Sequence, residues 1–519
     1  MFRGKKKLWL AMLTAVLLLF VAACESIGGV DINKALQNSA TVKSYEGSAS
    51  VSLELLFDED LAQLMGMDPA LFAVLKDFRI ELEKIKMESA SVTSASGYIA
   101  FSDQKIPLSL YSSATETVLQ VEGIERPLVM DSGISAEDLA GLISDAELAE
   151  ISQSFNRSIM EYVTVHLPNP KQISVEPTTV EINGENVFTT KVNAVLYGDE
   201  LLDWLKLFLQ NLAKDEEGLR EFLSDAYDAL FPIIVKSIEQ ERKALEDEDF
   251  DTEILRLMEK YADNKTLVVE FLYTTLAFGY EEALNNYDEF AEELNSSLQV
   301  GGLNLLNRDT YLDFSVYVDS ALRVRKSEAE LLIKPELPLP VPGFDGIRVS
   351  VTQDIWNVNG NVTADRPDVA DGISVDDWEF SRLLNQSVDP DSAIADLLRL
   401  AGANTETFYV WLDEEEVFKS KGASYAEAYW LAYYLDLNVS WDMETNEVVI
   451  FNKVTGQTLE MQVDSRDAAL DGEALQLSAA PVIRDAMLYL PVRAVAEAFG
   501  GVVEYDADWD MATITFSYY

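Results

Sequence analysis

Near the C-terminus the stretch VEYDADWDMATITF (503–516) sets three carboxylates at alternate positions, Asp506, Asp508 and Asp510. Calcium loops of the EF-hand kind begin with this spacing, because alternate side chains of a tight loop converge on one cation. Such a loop also needs glycine at its sixth position and glutamate at its twelfth. Counted from Asp506, those places hold Met511 and Ser517. Turn chemistry explains the aspartates better, since a short carboxylate bonds its own backbone two residues on. Two further acid-dense stretches, EDEDFDTE (246–253) and VDPDSAIAD (388–396), are candidates for weak calcium binding, against the simpler reading of a solvated helix face or a helix start. The expectation is no metal and no cofactor.

Other chemistry is equally thin. The single histidine, His166 in YVTVHLPNP, lies beside a strand-like run and reads as a surface or packing residue. One imidazole and one thiol cannot build a Cys/His zinc site. A nucleophile elbow, a P-loop and a dinucleotide fingerprint are all missing from the sequence. Paired carboxylates are expected by chance among 90 acids, so a glycosidase-like hydrolase stays a third alternative, requiring two carboxyls across a cleft. The formal net charge of −51 repels phosphate backbones and excludes nucleic acid as a partner.

The 519 residues are too many for one core and imply two to four domains. The first 24 read MFRGKKKLWLAMLTAVLLLFVAAC: a basic start, an apolar run from Leu8 to Ala23, and small residues before Cys24. That run is short for a membrane span. The pattern resembles a bacterial lipoprotein signal, which implies cleavage before Cys24 and a diacylglyceryl thioether on its sulfur. The resemblance places the protein on the outer face of the cell membrane, anchored by lipid, with no thiol left for other work.

A tether (25–43) follows the signal (1–24). From Tyr45, apolar and polar residues alternate: Val51, Leu53, Leu55 and Phe57 share one face. The same period recurs over 78–92, 97–103, 105–113, 116–123 and 180–198, with Asn183-Gly184 as a hairpin turn, and resumes over 310–335 and 346–365. Helical periods occupy 68–78, 135–155 and most of 199–302. Residues 44–366 therefore read as a curved antiparallel sheet with a helical insertion (199–302). A linker with one short helix, DPDSAIADLLRLAGA, fills 367–405. The signal followed by ATVKSYEGSASVSLEL and further long strands resembles LolA-like and related lipoprotein families with half-barrel folds. The resemblance implies a concave sheet able to hold a lipid.

The last 114 or so residues (406–519) carry an internal repeat. AYWLAYYLDLNVSWDMETNEVVIF (428–451) aligns without a gap on VRAVAEAFGGVVEYDADWDMATIT (492–515), so that Trp441-Asp442 matches Tyr505-Asp506. Each copy reads as a helix, a break, a strand ending in an aromatic-Asp pair, a turn and a second strand. Pro491 suits the start of the second helix, and Gly500 with Gly501 its end. Arg493 is placed to pair with Glu497 or to clamp a neighbouring carboxylate. The string LYLPVR, then AEAFG, then VEYD resembles the copper amine oxidase N-terminal-like, or stalk, domain of bacterial surface proteins. The first copy departs from it at Glu427, Tyr429 and Asp436, which stand where Pro491, Arg493 and Gly500 do. One histidine cannot supply the imidazoles of copper amine oxidase chemistry.

The fold class expected is α+β: a half-barrel-like antiparallel sheet with a helical insertion, then a small duplicated α+β module. The function expected is a non-catalytic cell-surface lipoprotein for binding, adhesion or envelope maintenance. Its partners would be the membrane through the lipid, and a cell-wall polymer, another envelope protein or a lipid. The alternative is a lipid or lipoprotein carrier with an apolar pocket in the sheet. A sizeable apolar cavity would favour the carrier, whereas a filled core with exposed aromatics would favour partner binding.

Overall fold

The alternation that begins at Tyr45 becomes a series of long antiparallel strands. A computed structural model describes residues 32–64, 66–131, 145–244, 264–298, 304–336, 343–376, 379–412, 416–506 and 509–519. Cys24 and Asp508 lie outside the described residues, as does the acidic stretch 246–253. The chain divides into two units, one of residues through 120 with 129–370, the other of 121–128 with 371–519. Strand (41%) exceeds helix (32%) and the two are segregated along the chain, which makes the fold mixed α+β.

The first unit carries strands β1 (Tyr45–Leu55), β2 (Asp77–Ser89), β3 (Val92–Phe101), β4 (Gln104–Ser112), β5 (Glu116–Val121) and β6 (Leu128–Asp131). It continues with β7 (Gln172–Ile182), β8 (Glu185–Tyr197), β9 (Tyr311–Val318), β10 (Val324–Ile333) and β11 (Ile347–Trp356). They form one curled half-barrel sheet in the order β6-β5-β4-β3-β2-β1-β11-β10-β9-β8-β7. The two meanders meet where β1 pairs β11, with Val51 opposite Val351. Asn183 and Gly184, both at positive φ, turn β7 into β8 and bring Ile182 opposite Glu185.

Eight helices accompany the sheet among the described residues: α1 (Ile32–Ala40), α2 (Glu59–Leu64), α3 (Pro69–Leu75), α4 (Asp145–His166), α5 (Leu201–Lys214), α6 (Glu216–Ala244), α7 (Lys265–Asn285) and α8 (Tyr287–Leu298). Leu312, Phe314, Val316 and Val318, alternate residues of β9, pack against Ile32, Ala35 and Leu36 of α1 and Trp204 of α5. The expected tether (25–43) is thus partly helix, with Ala35 fully buried. Its apolar stripe, residues 32, 35 and 36, is one turn long and too brief to stand out as a period. The YVTVH run is also corrected: it ends helix α4 rather than adjoining a strand, because packing overrides the strand preference of its β-branched residues.

The second unit opens with β12 (Ile373–Ser374), α9 (Phe380–Gln386) and α10 (Ala393–Leu400), so the expected linker (367–405) holds two helices instead of one. Ile373 and Ala395 are fully buried there, as core residues are. Residues 121–128, expected in the sheet domain, are bonded into this unit: Glu125 N donates to Ser387 O at 2.8 Å, and Asp389 N to Gly123 O at 2.8 Å. Gly123 has φ +87°, and a Cβ there would lie 2.6 Å from Ser392 Cβ, so only glycine fits.

The remaining elements are β13 (Thr405–Trp411), β14 (Val417–Ser420), β15 (Ala423–Glu427), α11 (Ala428–Tyr434), β16 (Leu437–Asp442), β17 (Glu447–Asn452) and β18 (Thr458–Gln462). After these come β19 (Asp467–Leu470), β20 (Glu473–Gln476), β21 (Val482–Arg484), β22 (Met487–Pro491), α12 (Val492–Ala498), β23 (Val502–Asp506) and β24 (Met511–Ser517). Three small sheets result, in the orders β13-β24-β23, β14-β15-β22-β21 and β16-β17-β18-β19-β20. One apolar core joins them to α11 and α12, with Leu431, Leu435, Ile450, Leu490, Val495 and Ile514 at no exposure.

Candidate functional site

The repeat read from the sequence reaches further than the aligned residues. Helix α12 starts and ends 64 positions after α11, and β22 starts and ends 64 positions after β15. These two strands pair with each other: Tyr425 lies opposite Pro491, Ala426 opposite Leu490 and Glu427 opposite Tyr489. Ala426 therefore faces its own repeat equivalent, and the two copies meet about a local pseudo-two-fold axis through that pair. Both residues are fully buried. Each copy's helix thus folds back onto a sheet that the other copy completes, which is why neither half closes a core alone.

The motif residues hold this frame. Pro491 closes β22 as the N-cap of α12, at φ −72° and ψ 108°, one position earlier than the first helical turn. Glu427, its counterpart, caps α11 through its side chain, which accepts from Trp430 N at 2.8 Å. Gly501 N donates to Ala496 O at 2.9 Å and Gly500 N to Glu497 O at 3.0 Å, a Schellman ending with Gly500 at φ +73°. Asp436 stands where Gly500 does and adopts φ +50°. Its carboxylate bonds Arg382 and Lys453, and Arg382 also pairs with Glu379. Arg493 takes up both Glu497 Oε1 at 3.4 Å and the carbonyl of Val503 at 3.2 Å, tying α12 to β23.

The aspartates of the opening stretch are turn residues. Asp506 Oδ1 accepts from Trp509 N at 3.3 Å. In the first copy, Asp442 Oδ1 accepts from Glu444 N at 2.7 Å and Thr445 N at 3.3 Å, which holds its carboxyl below the usual range. Asp510 and its counterpart Asn446 both sit at positive φ, +45° and +58°. Asp510 binds Lys419 Nζ at 2.6 Å and accepts from the Tyr505 hydroxyl at 2.7 Å. These two bonds lower its carboxyl, and the bond to Asp510 raises the Tyr505 phenol against the opposing charge of Lys419. Trp441, equivalent to Tyr505, packs against the core instead. Among the described residues no three His, Cys, Asp or Glu side chains gather as a metal site would require. At 388–396 the acids serve a helix start: Asp389 Oδ1 accepts from Asp391 N, and Ser392 caps α10.

His166 is buried, 5% exposed, with Nδ1 2.5 Å from Tyr162 O and Nε2 3.0 Å from Asp215 Oδ2. Asp215 also caps α6 by accepting from Gly218 N. This is a joint between helices and it lines none of the cavities described below. Glu328 and Asp354 flank Lys326 at 3.1 and 3.8 Å. Burial raises the Asp354 carboxyl; at Glu328 burial acts the same way but is outweighed by hydrogen bonds from Tyr317 and Lys326. This pair lies on the sheet's polar side and lines no cavity described here.

Two cavities belong to the sheet. One of about 610 Å³ has a mixed lining, with Glu54, Lys76 and Arg79 beside Leu53, Pro69 and Phe72. The other, about 200 Å³, is apolar and lies among Val42, Tyr45, Met87, Val324 and Ile355. In the second unit one large cluster of buried apolar residues forms the core, and exposed aromatics mark its surface, among them Tyr409, Trp411, Tyr433, Tyr505 and Trp509. Tyr409 and Trp411 were not singled out in the sequence. TETFYVW puts aromatics on both faces of β13, and only the burial of Val410 and the packing of Phe408 show which face is open.

A duplicated α+β module on a pseudo-two-fold axis, joined to a half-barrel sheet unit, defines the class of this protein. Residues 407–514 match the family model for the copper amine oxidase N-terminal domain, and that domain alone, not a catalytic one. No curated relative matches the chain.

Proposed function

We propose that the protein is a non-catalytic lipoprotein of the cell envelope, held at the membrane through acylated Cys24, whose C-terminal unit binds an envelope component. One observation carries this reading: the second unit buries its apolar core and turns exposed aromatic rings to solvent, while its polar motif residues bond one another. Exposed aromatics rimmed by polar groups are what a binding surface presents. Mass spectrometry of the N-terminal peptide should find a diacylglyceryl group on Cys24, and Cys24→Ala should release the protein from membranes. The purified protein should sediment with isolated cell walls. An unmodified Cys24, or no association with walls, overturns the respective half of the proposal.

A carrier reading is favoured by one feature of the first unit. Val51 and Val351, paired in mid-sheet on its apolar side, are 41% and 38% exposed. Co-purification of stoichiometric lipid with the full chain supports this reading, and lipid-free protein rejects it.

A further inference from the structure

The three-stranded sheet of the second unit has one face on the core and one in solvent. Ala512, Ile514 and Phe516 of β24 point to the core and are buried. The opposite face therefore presents Met511, Thr513 and Thr515 from β24. The registers place Trp411 opposite Met511, Tyr409 opposite Thr513 and Thr407 opposite Thr515. On the other side, Asp506, Glu504 and Val502 stand opposite the same three residues. The face is a chequered grid: Tyr409 is 55% exposed, Trp411 37% and Val502 62%. Thr407 and Thr515 share a hydroxyl hydrogen bond of 3.1 Å.

The repeat supplies an internal control. In the first copy β17 and β18 pair as β24 and β13 do: Gln462 lies opposite Glu447, Glu460 opposite Val449 and Thr458 opposite Phe451. With Glu447 equivalent to Met511, Gln462 and Glu460 occupy the places of Trp411 and Tyr409. Both are exposed and polar. The architecture thus accepts a charge and an amide where the second copy carries a phenol and an indole. Folding does not require these two rings.

We infer that this face binds an uncharged, β-linked polysaccharide. Rings two apart on one strand lie about 7 Å from each other, close enough for one extended glycan chain to meet both. Their apolar faces would meet the sugars' C–H faces, while Thr hydroxyls and the Glu504 and Asp506 carboxylates would take sugar hydroxyls. The surrounding charge selects against polyanions, since a chain of net −51 repels them. Interleaved threonines and carboxylates disfavour a protein partner, whose contact cores are depleted of charge.

The inference rests on the proposed binding role of the second unit, and the test separates the two. The full chain in detergent is mixed with amorphous cellulose, chitin and an insoluble β-1,3-glucan. Binding to at least one is expected. Tyr409→Glu with Trp411→Gln, the residues the first copy tolerates at these places, should weaken it at least tenfold with an unchanged thermal midpoint. Glu460→Ala with Gln462→Ala should leave it unchanged. In the unmutated protein, the bound glycan should slow hydrogen exchange over 405–411. No binding to any of the three, or equal binding by the Tyr409/Trp411 variant, overturns the glycan assignment. If intact walls are still bound in those cases, the wider binding role stands; if they are not, both fall.

Discussion

Asp436 offers a test of how the degenerate copy is held. It occupies a left-handed position that its counterpart fills with Gly500, and its carboxylate lies between Arg382 and Lys453. The side chains are 25%, 11% and 32% exposed in that order, so the cluster is neither buried nor free in water. Removing one partner of a buried pair costs about 3–5 kcal/mol, and of an exposed pair about 0–1. We take about 2 kcal/mol for this intermediate case. Relief of the left-handed strain by glycine returns about 1 kcal/mol. Asp436→Gly should therefore lose about 1 kcal/mol, Asp436→Asn about 2, and Asp436→Ala about 3, because alanine loses the charge and tolerates positive φ poorly. Hydrogen exchange of peptides covering 428–452 reads local opening directly. At about 1.4 kcal/mol per tenfold, exchange should quicken about fivefold for glycine and more than a hundredfold for alanine. A glycine variant that exchanges no faster than the parent would refute the reasoning, since the ion cluster would then contribute nothing beyond backbone geometry.

Other consequences are equally direct. At Gly501 a Cβ would lie 2.8 Å from Ala496 O and 2.7 Å from Phe516, while at Gly500 it would meet only open space. Gly501→Ala should cost about 1–3 kcal/mol by overpacking, and Gly500→Ala about 1–2 from its positive φ; thermal unfolding that shows no loss in either variant contradicts the helix ending described. Asp442 and Asp510 both have carboxyls lowered from 3.8. Groups lowered on folding stabilise above the unfolded pKa, and that contribution is lost as pH falls through the folded one. Carboxyl-carbon NMR should place both midpoints below 3.8, with Lys419→Met raising that of Asp510 alone. Finally, His166→Leu removes bonds to Tyr162 O and Asp215 and should destabilise the first unit by about 1–3 kcal/mol. Unchanged exchange in helices α4 and α5 would show that the joint is unimportant.

Local rules made much of the second unit legible. Alternation in each strand, the aromatic-Asp pair before each turn, and the gapless repeat specify α11 with β16 and β17, and α12 with β23 and β24, because each depends on residues a few positions apart. Turn residues were equally readable: Asn183-Gly184, Asn446, Asp510 and Gly500 all take positive φ, which their short side chains, or none, allow. The unmatched glycine position at Asp436 was visible as a departure, but not its compensation. Arg382 is 54 residues away, and sequence carries no signal for that distance.

What tertiary structure alone decided depends on contacts between distant segments. The pairing of β15 with β22 sets Ala426 against Leu490, yet nothing in either strand names its partner, because edge pairing is chosen by the core that both helices share. The short stripe of α1 became core only because β9 offers it an apolar face. Residues 121–128 joined the second unit through backbone bonds, and apart from Gly123 no side chain there signals them. The open aromatic face follows the same logic. Residue types told that β13 has rings on both sides, and only packing determined that Phe408 and Val410 fill the core while Tyr409 and Trp411 remain in water.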